Sequence, residues 1–173
     1  SQLGTGTLTL SGSNTFTGGL RIGTGTVSVS NDGNLGAAGA GIAIAGGTLA
    51  VTGSFTSSRA VTLSGAGTLS VGEGRVWQLA GPIGGGGSLT KGGTGMLVLL
   101  GDSTQAGGIT IAAGALQVGD GGTSGSLAAD VVNLGALVFN RSDTLAFNGA
   151  ISGSGSVTQL GTGRLVLGGS NTF

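Results

Sequence analysis

The chain contains no cysteine, no histidine and no tyrosine, and Pro82 is its single proline. Without cysteine there is no disulfide framework and no thiol chemistry. That lack suits a chain crossing an oxidising compartment unfolded, although it does not identify the compartment. Without histidine and cysteine, neither a nucleophile triad nor a zinc site of the usual kind can be assembled. Charge is scarce as well: six basic and six acidic side chains make up 7% of the residues and cancel. The arginines Arg21, Arg59, Arg75, Arg141 and Arg164 are scattered, which leaves no basic stripe for nucleic acid or anionic lipid. No apolar run approaches the ~18 residues of a membrane helix.

What is present is glycine, 42 of 173 residues, together with regularly spaced Leu, Val and Ile. Glycine with Ser and Thr alone would suit a disordered linker. The apolar content of 38% supplies the buried surface that disordered chains lack. The chain therefore reads as an ordered, all-β protein punctuated by glycine.

Eight segments share the pattern Gly-x-apolar-x-apolar, beginning at Gly6, Gly25, Gly47, Gly67, Gly95, Gly114, Gly135 and Gly163. A spacing of roughly 20 residues is that of a β-solenoid coil, and alternation within each segment marks a strand with one buried face. The same composition disfavours helix. Two intervals, Gly67 to Gly95 and Gly135 to Gly163, are clearly longer than the others. They read as long coils, the second block having one coil fewer than the first. Aligned at these long intervals, Trp77 falls on Leu145, Leu79 on Phe147 and Ile83 on Ile151. Further strands are expected at Leu20–Ile22, Gly41–Ile44, Val61–Leu63 and Ile109–Ile111. The expected architecture is a stack of about eight coils, each of two or three short parallel strands, roughly 40 Å long in all.

The ends of the chain nearly repeat each other. Gln2 to Phe16 and Gln159 to Phe173 agree at twelve of fifteen positions, and Lys91 to Thr104 is a looser copy. The expectation is a single β-helical segment over residues 1–173, cut from a longer array with exposed, uncapped ends. Its blocks run over about 4–92 and 93–160, with a third starting at 161–173. Ser1 begins in mid-repeat, so the lack of a visible leader says nothing about the native protein.

The segment Leu89-Thr90-Lys91-Gly92-Gly93-Thr94-Gly95-Met96-Leu97-Val98-Leu99 resembles the passenger-associated repeats of bacterial autotransporters. The same signature appears over Leu3 to Val27 and Val157 to Phe173, with Phe16 and Phe173 at the usual aromatic place. The middle copy departs there, carrying Gln105, and has Asp102-Ser103 where Ser13-Asn14 stands. The resemblance implies a right-handed parallel β-helix exported through the outer membrane by the protein's own C-terminal β-barrel translocator. It implies a surface-exposed or secreted location, and roles in passenger folding, adhesins or toxins. The sequon Asn140-Arg141-Ser142 would go unused in a bacterium.

The residues themselves offer no catalytic, cofactor or metal site. Glycoside hydrolysis needs two carboxylates on one groove, and Asp32, Asp102, Asp120, Asp130, Asp143 and Glu73 do not fall at matching positions of adjacent coils. Asp102 and Asp120 read as solvated turns. The stretches at Asp32 and Asp120 lack the tandem spacing of calcium-binding solenoid repeats. Gly84 to Gly87 is followed by no Lys-Ser or Lys-Thr and no helix, so it reads as a corner rather than a phosphate loop. Trp77 lies on an alternating apolar position and is expected inside. Glu73 with Arg75, and Arg141 with Asp143, are expected as surface ion pairs of little energetic weight. Thr7-x-Thr9 could bind ice, but Met96-x-Val98 and Arg164-x-Val166 at the aligned positions make the array irregular. The expected function is a structural stalk or scaffold with no enzymatic activity and no small-molecule substrate. Adhesion to a host surface, or to itself, is the alternative.

Overall fold

The computed structural model describes residues 1–173 as a β-solenoid of about eight coils, with parallel strands throughout. Each complete coil has three faces. The first face stacks Leu20–Ile22, Ile42–Ile44, Val61–Leu63, Ile83–Gly84, Asp102–Ser103 and Ser126–Leu127. The second face stacks eight strands: Thr7–Thr9, Thr26–Val29, Thr48–Val51, Gly67–Val71, Leu89–Gly92, Ile109–Ile111, Val131–Asn133 and Ile151–Ser152. The third stacks Phe55–Ser57, Val76–Leu79, Met96–Leu99, Ala115–Val118, Ala136–Phe139 and Ser156–Gln159. A further pair, Leu145–Phe147 with Leu165–Leu167, takes the first-face place by chain order. All four strands expected between the glycine-headed segments are present.

The strands are short because glycines turn the chain every few residues. Alternation decides what points inward: Leu20 and Ile22 are buried while Arg21 between them is exposed. The inward side chains form ladders, such as Val27, Leu49 and Leu69 on the second face. They merge into one cluster of 29 buried residues running the length of the solenoid. Each fully buried Leu, Val or Ile contributes about 1.5–3 kcal/mol. Trp77 belongs to that cluster and is fully buried, with its ring centroid 6.0 Å from that of Phe55 one coil below.

The register corrects the reading of the two long intervals. The segments headed by Gly6, Gly25, Gly47 and Gly67 all lie on the second face, whereas those headed by Gly95, Gly114 and Gly135 lie on the third. The segment headed by Gly163 lies at the first-face place. On the second face the register partner of Gly67 is Leu89, so the coil between them is of ordinary length. The extra residues before Gly95 carry the motif round one corner. No coil is as long as those intervals, but the second block is one coil shorter than the first, with three such segments on its face against four. The motif moves one face at each new block, so Trp77 and Leu145 are equivalent in sequence but sit on different faces.

The corners confirm this. Gly85 and Gly153, aligned in sequence, both have φ of 107°. A Cβ at Gly85 would lie 2.1 Å from the Leu63 carbonyl oxygen, and one at Gly153 would lie 2.2 Å from that of Asn133. Only glycine fits either place. Gly85 follows a first-face strand and Gly153 a second-face strand, so one corner is built twice on different edges.

Candidate functional site

Each repeat opens with a polar residue that clasps its own corner. Gln2 Nε2 donates to the carbonyls of Gly4 at 3.0 Å and Gly6 at 2.8 Å. Gln159 Nε2, at the same place in the last copy, donates to the carbonyls of Gly161 and Gly163. In the middle copy the residue is Lys91, whose Nζ donates to Gly92 at 2.8 Å, Gly93 at 2.9 Å and Ala113 at 3.1 Å. Lys91 is fully buried, between Leu69 and Ile111 in the inward ladder of the second face. Burial pushes its ammonium down from 10.5 to about 8. In all three copies the clasped corner precedes the strand on which the motif resumes. The sequence signal was the shared polar head of each copy; of the three only Lys91 is buried, which alternation alone gives no reason to expect.

Buried polar residues recur in the later coils. Ser103 Oγ donates to Gln105 Oε1 at 2.6 Å, and both residues are buried. Asn133 Nδ2 donates to the Ser156 carbonyl at 2.9 Å. Gln105, at the place of the usual aromatic, is therefore an interior residue with its Nε2 unpaired.

Two loops bulge ahead of first-face strands, one standing in place of a third-face strand and one at the third-to-first corner, and an arginine of the following coil holds each one. The first carries the only helix, a 3-10 turn at Asp32–Leu35. Arg59, 3% exposed, reaches back into it. Its Nε donates to Asp32 Oδ1 at 3.0 Å, and its terminal nitrogens donate to the carbonyls of Gly36, Ala37 and Ala40 at 2.7–2.9 Å. Asp32 is thus a structural partner of Arg59. The second loop spans 119–125, and Arg141 donates to the carbonyl of Gly125. Arg141 also pairs with Asp143 at 2.6 Å. The hydrogen bond to Arg141 holds the Asp143 carboxyl below its ordinary range, and the same bond raises Arg141. The matching pair expected at Glu73 and Arg75 does not form: those residues flank a turn without an ion pair.

The remaining acids are dispersed. Asp102 lies in a first-face strand, not a turn, and accepts from Ser126 Oγ at 2.7 Å. Asp130 accepts from the Ala150 N–H at 2.8 Å. Asp120 sits in the 119–125 loop. The structure brings no two of these carboxylates into one groove.

The outward side of the second face carries a threonine ladder. Thr7, Thr26, Thr48, Thr68, Thr90 and Thr110 are successive register partners, and Val132 follows. Met96 and Val98, which made the array look irregular, belong to another face. The neighbouring column, Thr9, Ser28, Ala50, Ser70 and Gly92, does not keep threonine. The face is small, flat and uncharged.

Comparison with known proteins agrees with this geometry. The passenger-associated-transport-repeat family matches residues 1–29, 89–118 and 157–173, the three clasped copies. The chain is 48% identical over 154 residues to the adhesin BmaC autotransporter of Brucella suis biovar 1. That alignment covers 89% of this chain and 4% of the relative's length. No solved structure matches. By its repeats, its solenoid and its likeness to that adhesin, the chain belongs to the passenger regions of autotransporters, proteins that type V secretion exposes on the bacterial surface or releases from it.

Proposed function

We propose that this segment is a structural rod within a longer passenger, a stalk that holds other parts of the protein away from the cell and has no enzymatic activity of its own. The observation that carries the reading is the uninterrupted cluster of 29 buried residues, which joins coil to coil without a break. Each coil buries its inward face only against its neighbours, so stability accumulates along the stack. Residues 1–173 are then one part of an array, with blocks at about 4–92 and 93–160 and a third opening at 161. Coil-by-coil folding outside the cell would oppose back-sliding through the chain's own C-terminal β-barrel. The test is to replace Leu49 and Leu69 by Asp in the full-length protein and measure the passenger displayed on the surface. Loss of display supports the rod; undiminished display of a protease-resistant passenger contradicts it.

The second reading is adhesion, to a host surface or to another copy. It is favoured by the name of the Brucella relative and by the uncharged threonine face, which offers no like-charge repulsion to a neutral partner.

A further inference from the structure

Three arginines, Arg21, Arg75 and Arg164, have neither an ion pair nor a side-chain hydrogen bond, unlike Arg59 and Arg141. Their surroundings differ. Arg75 lines no cavity, and Arg164 borders one of about 10 Å³, room for a single water. Arg21 borders a groove of about 440 Å³ on the outward side of the first face. It stands at the foot of a column whose next members are Ala43, Thr62 and Gly84. Because those side chains are small or absent, the column is a trough with a guanidinium at one end.

The walls add donors. Gly18 and Gly19 form one side, and Gly39 with Gly41 the other. The backbone N–H groups of all four glycines are without a protein acceptor. Gly19 and Gly39 have φ of 74° and 85°, so their chain directions are set by turns no other residue adopts easily. The Gly39 wall is the end of the loop that Arg59 holds through Gly36, Ala37 and Ala40. The groove is therefore formed in advance, which lowers the ordering cost of binding.

We propose that this groove binds a carboxylate-bearing sugar of an acidic glycan. A guanidinium fork matches a carboxylate in a bidentate pair, and the glycine N–H groups and the Thr17 and Thr62 hydroxyls suit the ring oxygens. A single arginine in a neutral surround does not suit a polyanion such as nucleic acid, whose binding needs many cations. The inference goes beyond the rod reading and does not depend on it.

The test is titration of the isotope-labelled chain, followed by amide NMR, with three probes: a glucuronate-ended disaccharide, sialyllactose and lactose. The expected result is millimolar binding of one or both acidic sugars, with shifts at Gly18, Gly19, Gly39 and Gly41, and none with lactose. The acidic probe that binds identifies the glycan source. Arg21→Ala should weaken binding at least tenfold, and Arg21→Lys should recover only part, since the fork is lost. Arg75→Ala should bind as the parent does. Each variant's amide spectrum checks that it is folded. No shifts at these glycines, equal binding of lactose, or full affinity in Arg21→Ala would overturn the proposal.

Discussion

The first block places its repeated strand on the second face of the solenoid, and the second block places nearly the same strand on the third. The two regions share a motif and a coil length, yet a motif residue of one is not stacked on its counterpart in the other. Sequence period and structural period are separate quantities here. The coil sets which residues touch, while the block sets which edge the motif occupies. The clasp marks each change of edge: Gln2 closes the first-to-second corner, Lys91 the second-to-third and Gln159 the third-to-first.

The comparison is broken most forcefully at Trp77 and Leu145. If sequence equivalence governed packing, both would be equally buried and their truncations would cost similar amounts, differing only with side-chain size. Trp77 is fully buried and Leu145 only half-buried, so Trp77→Ala should cost about 4 kcal/mol and Leu145→Ala less than half of that. Urea unfolding of both variants measures the difference, and equal losses would favour the motif alignment over the coil.

The two loop-holding arginines come next. Arg59→Met removes the partner of the Asp32 carboxylate and of the Gly36 and Ala40 carbonyls, and should cost about 3 kcal/mol. Arg141→Met, at a more open site, should cost less than about 1 kcal/mol. Protection of the amides in 31–40 against hydrogen exchange should fall only in the first variant.

Lys91 distinguishes the middle clasp from the other two by pH. Its folded form loses a proton near 8, whereas the unfolded chain holds it to 10.5. Between those values the unfolded state binds more protons, so stability should rise with pH, by at most about 3 kcal/mol. Below pH 8 both states are charged and the penalty is constant. Lys91→Gln, which copies the other two heads, should remove the rise while staying folded. A parent chain whose stability is flat from pH 8 to 10.5 would contradict the burial of that ammonium.

The smallest contrast is expected at the paired corners. Gly85→Ala and Gly153→Ala should each cost about 2 kcal/mol, from the same strained φ and the same crowded carbonyl. Calorimetry showing one variant unaffected would break the equivalence of the two edges.

Much of this fold was legible because alternation is local. Leu20–Ile22 and Val61–Leu63 show their buried face within three residues. Two-residue strands such as Ile83–Gly84 and Asp102–Ser103 carry no alternation to read, so Asp102 looked like a turn. The face on which a strand lies is a sum over corner lengths. The interval from Gly67 to Gly95 is equally a long coil or a coil plus a corner until the register is known. Arg59 and Lys91 were hidden for another reason. A charged side chain reads as exposed, and what makes these two interior is a set of backbone carbonyls contributed by neighbouring coils. Trp77 was readable because it stood on an apolar position of the strand, whichever face that strand occupied.

The change of face itself can be measured directly, because the chain has no cysteine of its own. Spin labels at Thr68 and Thr90 would sit on adjacent strands of one ladder, about 4.8 Å apart along the stack. Labels at Thr68 and Met96, which the motif alignment would make neighbours, would sit on different faces. The account predicts a strongly spin-coupled spectrum for Thr68→Cys with Thr90→Cys and an uncoupled one for Thr68→Cys with Met96→Cys. The reverse pattern would show that the repeat keeps its face, and would contradict the account.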